Sequence, residues 1–238
     1  METWIHEWTY PQLRHEKIVD LISRFCSEGP FLDIGCGNGF LTKKIMDRLG
    51  LVDVWGVDSY PVEEVPEKIQ FLWRDVEKEH IPHATGYFRI IHCGEVIEHV
   101  KDTDILLEEV HRLMSGDGVG FVTTPNLGSW ASRIALLLGY QPYCTSVSLH
   151  NETAGKLGMN EGFHGQWAHI RNFTLRALKD LLRFNDFEII HVEGWPIGTL
   201  DVHFDRGITL KSIGVVDSLF SKVPSLASRL AVVFRKRR

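Results

Sequence analysis

Phe31-Leu-Asp-Ile-Gly35-Cys-Gly37-Asn-Gly39 is the stretch that decides how this chain folds. Phe31 to Ile34 is a short, mostly apolar run, as a strand buried on both faces requires. Three glycines then interrupt it at alternate positions. An amphipathic helical pattern follows from Phe40 to Leu49 and stops at Gly50. A glycine turn between strand and helix has a physical use. One glycine permits the tight turn, one lets the backbone approach a ligand, and one lets helix and strand pack closely. The following helix presents unpaired N–H groups, and therefore positive potential, to an anionic group. Dinucleotide dehydrogenases favour Gly-x-Gly-x-x-Gly. The spacing here is Gly-x-Gly-x-Gly, with Asp33 two positions ahead of the first glycine.

Outward from this turn, strands and helices alternate. His15 to Phe25 reads as a helix with Ile18, Leu21, Ile22 and Phe25 on one face. Val52–Val57, Ile69–Trp73 and Phe88–Cys93 read as strands, Thr103–Met114 as a helix, and Ser115-Gly-Asp-Gly as a turn into a fifth strand, Val119–Thr124. This alternation implies a parallel sheet covered by helices on both faces, with ligands bound beyond the carboxyl ends of the strands. In the second half, Ser129–Leu138 reads as a short helix and Gly139–Ala168 as a polar stretch of substrate-side cap. Thr174 caps a helix running to Phe184, and Phe187–Val192 and Leu230–Phe234 are the last two strands. The expected architecture is one α/β domain over residues 1–238. It is a Rossmann-like, doubly wound, mostly parallel seven-stranded sheet with an α-rich cap after strand five, at about residues 127–172, and a second variable insertion at about 195–225.

Composition narrows the class. The chain has 238 residues, 44% hydrophobic and 24% charged, which excludes wholesale disorder. Lys+Arg of 26 against Asp+Glu of 31 gives a net charge of −5, so a nucleic-acid partner is not favoured. Cys26, Cys36, Cys93 and Cys144 contain no Cys-x-x-Cys pair and form neither a disulfide framework nor a zinc knuckle. The first residues lack the pattern of a signal peptide, and the longest apolar stretch, Ile134–Leu138, is far too short for a membrane span. A cytoplasmic enzyme is the simplest class consistent with these features.

Two acids follow the next strands. Asp58 closes the second strand 23 positions after Gly35, where a carboxylate can accept hydrogen bonds from ribose hydroxyls, and Asp75 follows the third. With the glycine loop, these residues, Cys93-Gly-Glu-Val-Ile-Glu-His99, Thr123-Thr-Pro-Asn126 and His169-Ile-Arg-Asn-Phe-Thr174, the sequence resembles the class I S-adenosylmethionine (SAM)-dependent methyltransferases. The resemblance implies a SAM site with product S-adenosylhomocysteine. Asp33, Gly35, Cys36 and Gly37 would border the methionine end, Asp58 and Ser59 the ribose, Asp75 and Val76 the adenine, and Cys93 and Gly94 the amino-acid moiety. Arg89 departs from the family at the start of the fourth strand, where Asp is frequent.

Glu95, Glu98 and His99 stand at i, i+3 and i+4, which would place them on one helical face at the ligand end of the sheet. Two carboxylates and an imidazole make a partial shell for Mg, Mn, Fe or Zn, and His150, His164 or His169 of the cap would complete it. The arrangement resembles the ubiquinone-pathway O-methyltransferases and the type 11 methyltransferase group. It also resembles the RNA 3′-terminal 2′-O-methyltransferases, with His169 as the best match to their later His. The same Glu-Val-Ile-Glu-His pattern also occurs in methyltransferases with no known metal, where His99 or His169 would act as general base.

The expectation is methyl transfer from SAM to a hydroxyl of a small molecule, with Glu98, His99 and His169 catalytic. An RNA ribose 2′-O-methyltransferase and a SAM-binding regulatory protein without turnover are the alternatives. Trp4, Trp8 and Tyr10 are expected to pack on the sheet's edge. Trp130, Tyr140, Tyr143 and Trp167 would either contact substrate or pack within the cap. The tail Arg235-Lys-Arg-Arg238 reads as a solvated terminus. Ile213–Leu230 is amphipathic and suits a membrane interface, a cover over the pocket or a dimer contact.

Overall fold

The computed structural model describes residues 9–62, 64–148, 150–151, 153–157, 169–196 and 211–238, with only the backbone of 9–13 and 211–213. Trp4, Trp8, His164 and Trp167 lie outside the described residues, as does the side chain of Tyr10. The elements run α1 (Thr9–Phe25), β1 (Phe31–Ile34), α2 (Phe40–Leu49), β2 (Val54–Asp58), β3 (Gln70–Trp73), β4 (Phe88–Gly94), α3 (Thr103–Leu113), β5 (Met114–Pro125), α4 (Trp130–Leu137), α5 (Leu175–Phe184), β6 (Phe187–Trp195), α6 (Lys211–Phe220) and β7 (Arg229–Lys236). The strands form one sheet in the order β3-β2-β1-β4-β5-β7-β6. β7 is antiparallel to both its neighbours and the remaining pairs are parallel. This is the expected seven-stranded, mostly parallel sheet.

Local chemistry explains most boundaries. α2 begins directly after Gly39, whose φ of 72° starts the turn, and ends on Gly50, whose left-handed conformation directs its N–H to the Met46 carbonyl. The Asp102 carboxylate accepts from the Asp104 and Ile105 amides to start α3, and Thr174 accepts from Ala177 to start α5. α1 starts six residues before the expected His15, because Pro11 falls in its first turn, where its missing N–H costs nothing. β5 also starts early. Ser115-Gly-Asp-Gly is not a turn but an irregular part of the strand, since the register with β4 shifts between the Phe88↔Met114 and Ile90↔Val119 pairs.

The two faces of the sheet carry separate cores. Ile18, Leu21 and Ile22 of α1 and Ile45 of α2 cover one face over Phe31, Ile90 and Phe121. α3 and α5 cover the other through Leu106, Val110, Leu178 and Leu182 over Leu32, Ile91 and Val232. Burial of a large apolar side chain stabilises by about 1.5–3 kcal/mol, so these faces fix which way each strand points. The expected α-rich cap contains one described helix, α4, followed by turns. Arg89 is exposed at the opposite end of β4 from the glycine loop, near Glu28 and Asp117.

Candidate active site

β1 and β4 lie side by side, yet the chain leaves β1 towards β2 and β3 and returns to β4 on the other side. Their carboxyl ends therefore border a crevice. The glycine loop forms one wall. The Gly35 and Cys36 amides donate to the Val57 carbonyl at 2.7 and 3.2 Å, and the Gly37 amide donates to Asp58 Oδ2 at 2.8 Å. Gly35 and Gly37 have φ of 74° and 52°. A Cβ on Gly35 would lie 2.1 Å from Val96 Cγ2, whereas nothing lies within 4 Å of one on Gly37, so only the second glycine faces open space.

The crevice opens into a cavity of about 890 Å³, within the range of small-molecule sites. Gly35, Asp58, Ser59, Asp75, Val76, Glu95, Glu98, His99 and His169 all line it, and Gly37 lines a neighbouring cavity of about 780 Å³ that shares Asp58. Asp58 also takes the Tyr60 amide on Oδ1 at 3.0 Å, so its carboxylate links the loops after β1 and β2. Lys78 Nζ sits 2.7 Å from Asp75 and holds that carboxyl below its ordinary range.

Asp33, Cys36, Cys93 and Gly94, read from the sequence as cofactor contacts, do not line either cavity. The Asp33 carboxylate is buried under the loop, accepting from Thr42 Oγ1 at 2.5 Å and facing His92 Nδ1 at 2.7 Å. The Cys36 and Cys93 thiols are buried, which pushes both pKa values up and makes them inert packing groups. At Gly94 the His92 ring occupies the space a side chain would need, 2.5 Å from an ideal Cβ. The structure thus places the side chains of Asp33, Cys36 and Cys93 beneath the cradle and off the cavity walls.

Residues 95–99 form a turn rather than a helix, because Glu95 is left-handed with φ of 57°. The expected shared face is therefore lost. Glu95 turns away to a close ion pair with Arg229, with Arg14 at 3.5 Å and Thr123 Oγ1 at 3.2 Å. Glu98, His99 and His169 come together instead, with one candidate ligand atom from each within 4.8 Å of the others, the one such group among the described residues. Glu98 is 1% exposed. Its Oε2 accepts from Thr124 Oγ1 at 3.0 Å while Oε1 is buried without a hydrogen-bond partner, and burial pushes the carboxyl up to about 7. The Glu98 carbonyl accepts from the Ile170 and Arg171 amides, both at 3.0 Å, and so docks the segment carrying His169. His169 Nδ1–H donates to the Cys144 carbonyl at 2.7 Å, which leaves Nε2 as the acceptor nitrogen. The His99 and His169 ring centroids are 5.0 Å apart.

An imidazole fixed through its other nitrogen and an orphaned carboxylate oxygen are what a divalent ion needs, so these residues fit one. His150, the remaining described cap histidine, is exposed and outside the group. Thr123 and Thr124 belong to a stretch that carries the resemblance but were given no role in the site, and Arg14 and Arg229 were missed from the sequence. Arg14 precedes the apolar periodicity that marked the helix, and Arg229 belongs to the site only through the strand order. Tyr143 donates to the Leu157 carbonyl at 2.8 Å and Trp130 stacks on Phe220, so both pack within the protein.

Comparison with known proteins agrees with this geometry. A family described as "Methyltransferase domain" matches residues 3–192. The "Ubiquinone biosynthesis O-methyltransferase" of Brucella ovis is 30% identical over 114 residues, 45% of each protein, and that of Pseudomonas aeruginosa (strain LESB58) is 27% identical over 112 residues, 44% of this chain and 48% of that protein. The match thus spans less than half the length of these curated relatives. Among solved structures, a SAM-dependent methyltransferase from Mesorhizobium loti has a TM-score of 0.59 at 18% identity, covering 92% of this chain and 96% of that one. The Burkholderia thailandensis 1,6-didemethyltoxoflavin-N1-methyltransferase, solved with bound 1,6-didemethyltoxoflavin and S-adenosylhomocysteine, has a TM-score of 0.59 at 15% identity, covering 97% of this chain and 84% of that one. With the glycine cradle, the family match over most of its length and the seven-stranded sheet in agreement, the chain belongs to the methyltransferase-domain family.

Proposed function

We propose that the enzyme methylates a hydroxyl oxygen of a small-molecule acceptor, with a divalent ion held by Glu98, His99 and His169. The observation that carries this reading is the meeting of those three side chains on the wall of the cofactor cavity, with the Glu98 Oε1 oxygen unsatisfied. Similarity to proteins named O-methyltransferases supports oxygen as the acceptor atom. SAM, when bound, supplies a sulfonium-activated methyl carbon. The protein's contribution is alignment and exclusion of water. Gly37 gives the backbone room to hold the methionine end, Gly35 lets the loop pack on Val96, Asp58 accepts from the ribose, and Asp75 stands at the adenine end. An ion at the three-residue group would lower the acceptor hydroxyl's pKa. Glu98 and His169 orient that hydroxyl, and the Cys144 carbonyl keeps His169 in the tautomer that accepts at Nε2.

The same group serves a metal-free reading, in which His169 Nε2 or Glu98 takes the hydroxyl proton. The Glu98 carboxyl, pushed up to about 7 by burial, favours it specifically. The test is an acceptor screen with methyl-labelled SAM, run on dialysed enzyme with chelator and with added divalent ions. We expect turnover to fall at least tenfold with chelator and to return with one of the ions, while calorimetry shows S-adenosylhomocysteine binding unchanged. Full turnover under chelation removes the ion and leaves the base.

A further inference from the structure

The surface of α4 and α6 has no part in the chemistry above. The two helices meet where the Trp130 indole stacks on Phe220 at 5.3 Å between centroids and donates through Nε1–H to Asp217 at 2.8 Å. Outward, they turn large apolar side chains to solvent. Leu137 is 85% exposed, Val215 65% and Leu219 58%. Ten of the nineteen exposed large apolar side chains among the described residues lie within 134–140 and 215–223. Exposed apolar residues scattered singly need no explanation, but a concentration of them marks an interaction surface.

The charge around this face is one-sided. The chain carries −5 overall, yet 129–140 and 211–230 contain a single acid, Asp217, against Arg133, Lys211 and Lys222, with the fourth cation, Arg229, turned inward to Glu95. Asp217 is 0% exposed and bonded to Trp130 and Ser228, so it adds no negative charge to the surface. Ser225, just after α6, shares a groove with Arg176, Lys179 and Arg183 of α5, whose one acid, Asp180, is bonded to Arg183 at 3.2 Å. A second copy presenting the same face would oppose these cations to each other. No described helix is long and apolar enough to cross a membrane, so a bilayer would meet this face from one side only.

We propose that the α4/α6 face is a peripheral docking surface for an anionic lipid bilayer, with Leu137, Val215 and Leu219 entering the interface and the flanking, exposed Arg133 and Lys222 meeting the headgroups. It depends neither on the acceptor nor on the metal. The face adjoins the cap: Ser132 on the inner side of α4 lies 3.9 Å from the Cys144 sulfur, and the Cys144 carbonyl holds His169.

The test is sedimentation of the full chain with vesicles of phosphatidylcholine alone or mixed with phosphatidylglycerol. The chain is expected to sediment with the anionic vesicles, less so as salt rises, and to stay in solution with the neutral ones. L137E and L219E should each lower the partition coefficient about tenfold. K222E should weaken mainly the salt-sensitive part. V52E changes an equally exposed apolar residue outside the face and should bind as the parent. Thermal melts confirm that each variant is folded. No sedimentation with anionic vesicles, or unchanged binding of both leucine variants, overturns the proposal. A dimer in solution that L137E dissociates, without vesicle binding, overturns it in favour of a second copy.

Discussion

Asp58 shows how one carboxylate can hold a loop and recognise a ligand. Its two oxygens take the Gly37 and Tyr60 amides, yet it still lines both cavities. Asp58→Ala should therefore weaken S-adenosylhomocysteine about 30-fold or more, roughly 2 kcal/mol for lost hydrogen bonds to a charged group. Calorimetry measures it, and unchanged affinity would place the ribose elsewhere. His15 makes a different prediction. It is half-buried against Phe40 with a buried, unpartnered Nδ1, and burial lowers its pKa to about 4. Between about pH 6.5 and 4 the unfolded chain binds the proton that the folded one refuses, so stability falls as pH drops through that window. His15→Phe cannot titrate. It should gain on the parent by about 1 kcal/mol between pH 7.5 and pH 4.5, the value discounted for partial exposure. Urea midpoints at the two pH values check this, and a gap independent of pH would show that His15 is not held neutral.

Legibility in the sequence follows the range of the forces involved. Asp58, Asp75 and the glycine loop were readable because each is fixed by its own strand end and turn, within a few residues. The turn at 95–99 was not. Spacing alone makes Glu95, Glu98 and His99 one helical face, and the contrary conformation depends on Arg229, a residue 134 positions away that pulls Glu95 aside. The β5 start was misread for a similar reason: Ser-Gly-Asp-Gly is good turn chemistry, and only its pairing with β4 makes it strand. The loop after β1 and this turn are also mechanically joined, since Gly35 packs on Val96. Gly35→Ala would meet both an overlap at 2.1 Å and a left-handed backbone, destabilising by about 2–4 kcal/mol. Adding Val96→Ala should remove the overlap and leave about 1 kcal/mol for the backbone alone. Denaturant unfolding of the single and double variants separates the two. Equal losses in both would mean that Val96 does not set the spacing.

At the scale of the whole molecule, the last strand completes the sheet from inside. The family match ends at residue 192, but β7 lies between β5 and β6 and pairs with both, from Arg229 opposite Pro125 and Trp195 to Lys236 opposite Phe187. Leu230, Ala231, Val232, Val233 and Phe234 are each at most 2% exposed and reach the cores on both faces. Arg229 at its start reaches Glu95, so the strand also fixes one wall of the site, while the basic tail follows from its other end, at the opposite end of the strands. A chain cut at residue 196 would keep every described residue that lines the cavity of about 890 Å³ yet lose the strand joining β6 to β5. The buried apolar side chains of β7 are worth about 1.5–3 kcal/mol each, together comparable to the 5–15 kcal/mol stability of a typical domain. We expect the truncated chain to lose its near-ultraviolet circular dichroism and its cooperative thermal transition, and with them S-adenosylhomocysteine binding. A cooperative melt and retained binding would show that β6 can close on β5 directly, and that the inner position of β7 contributes shape rather than stability.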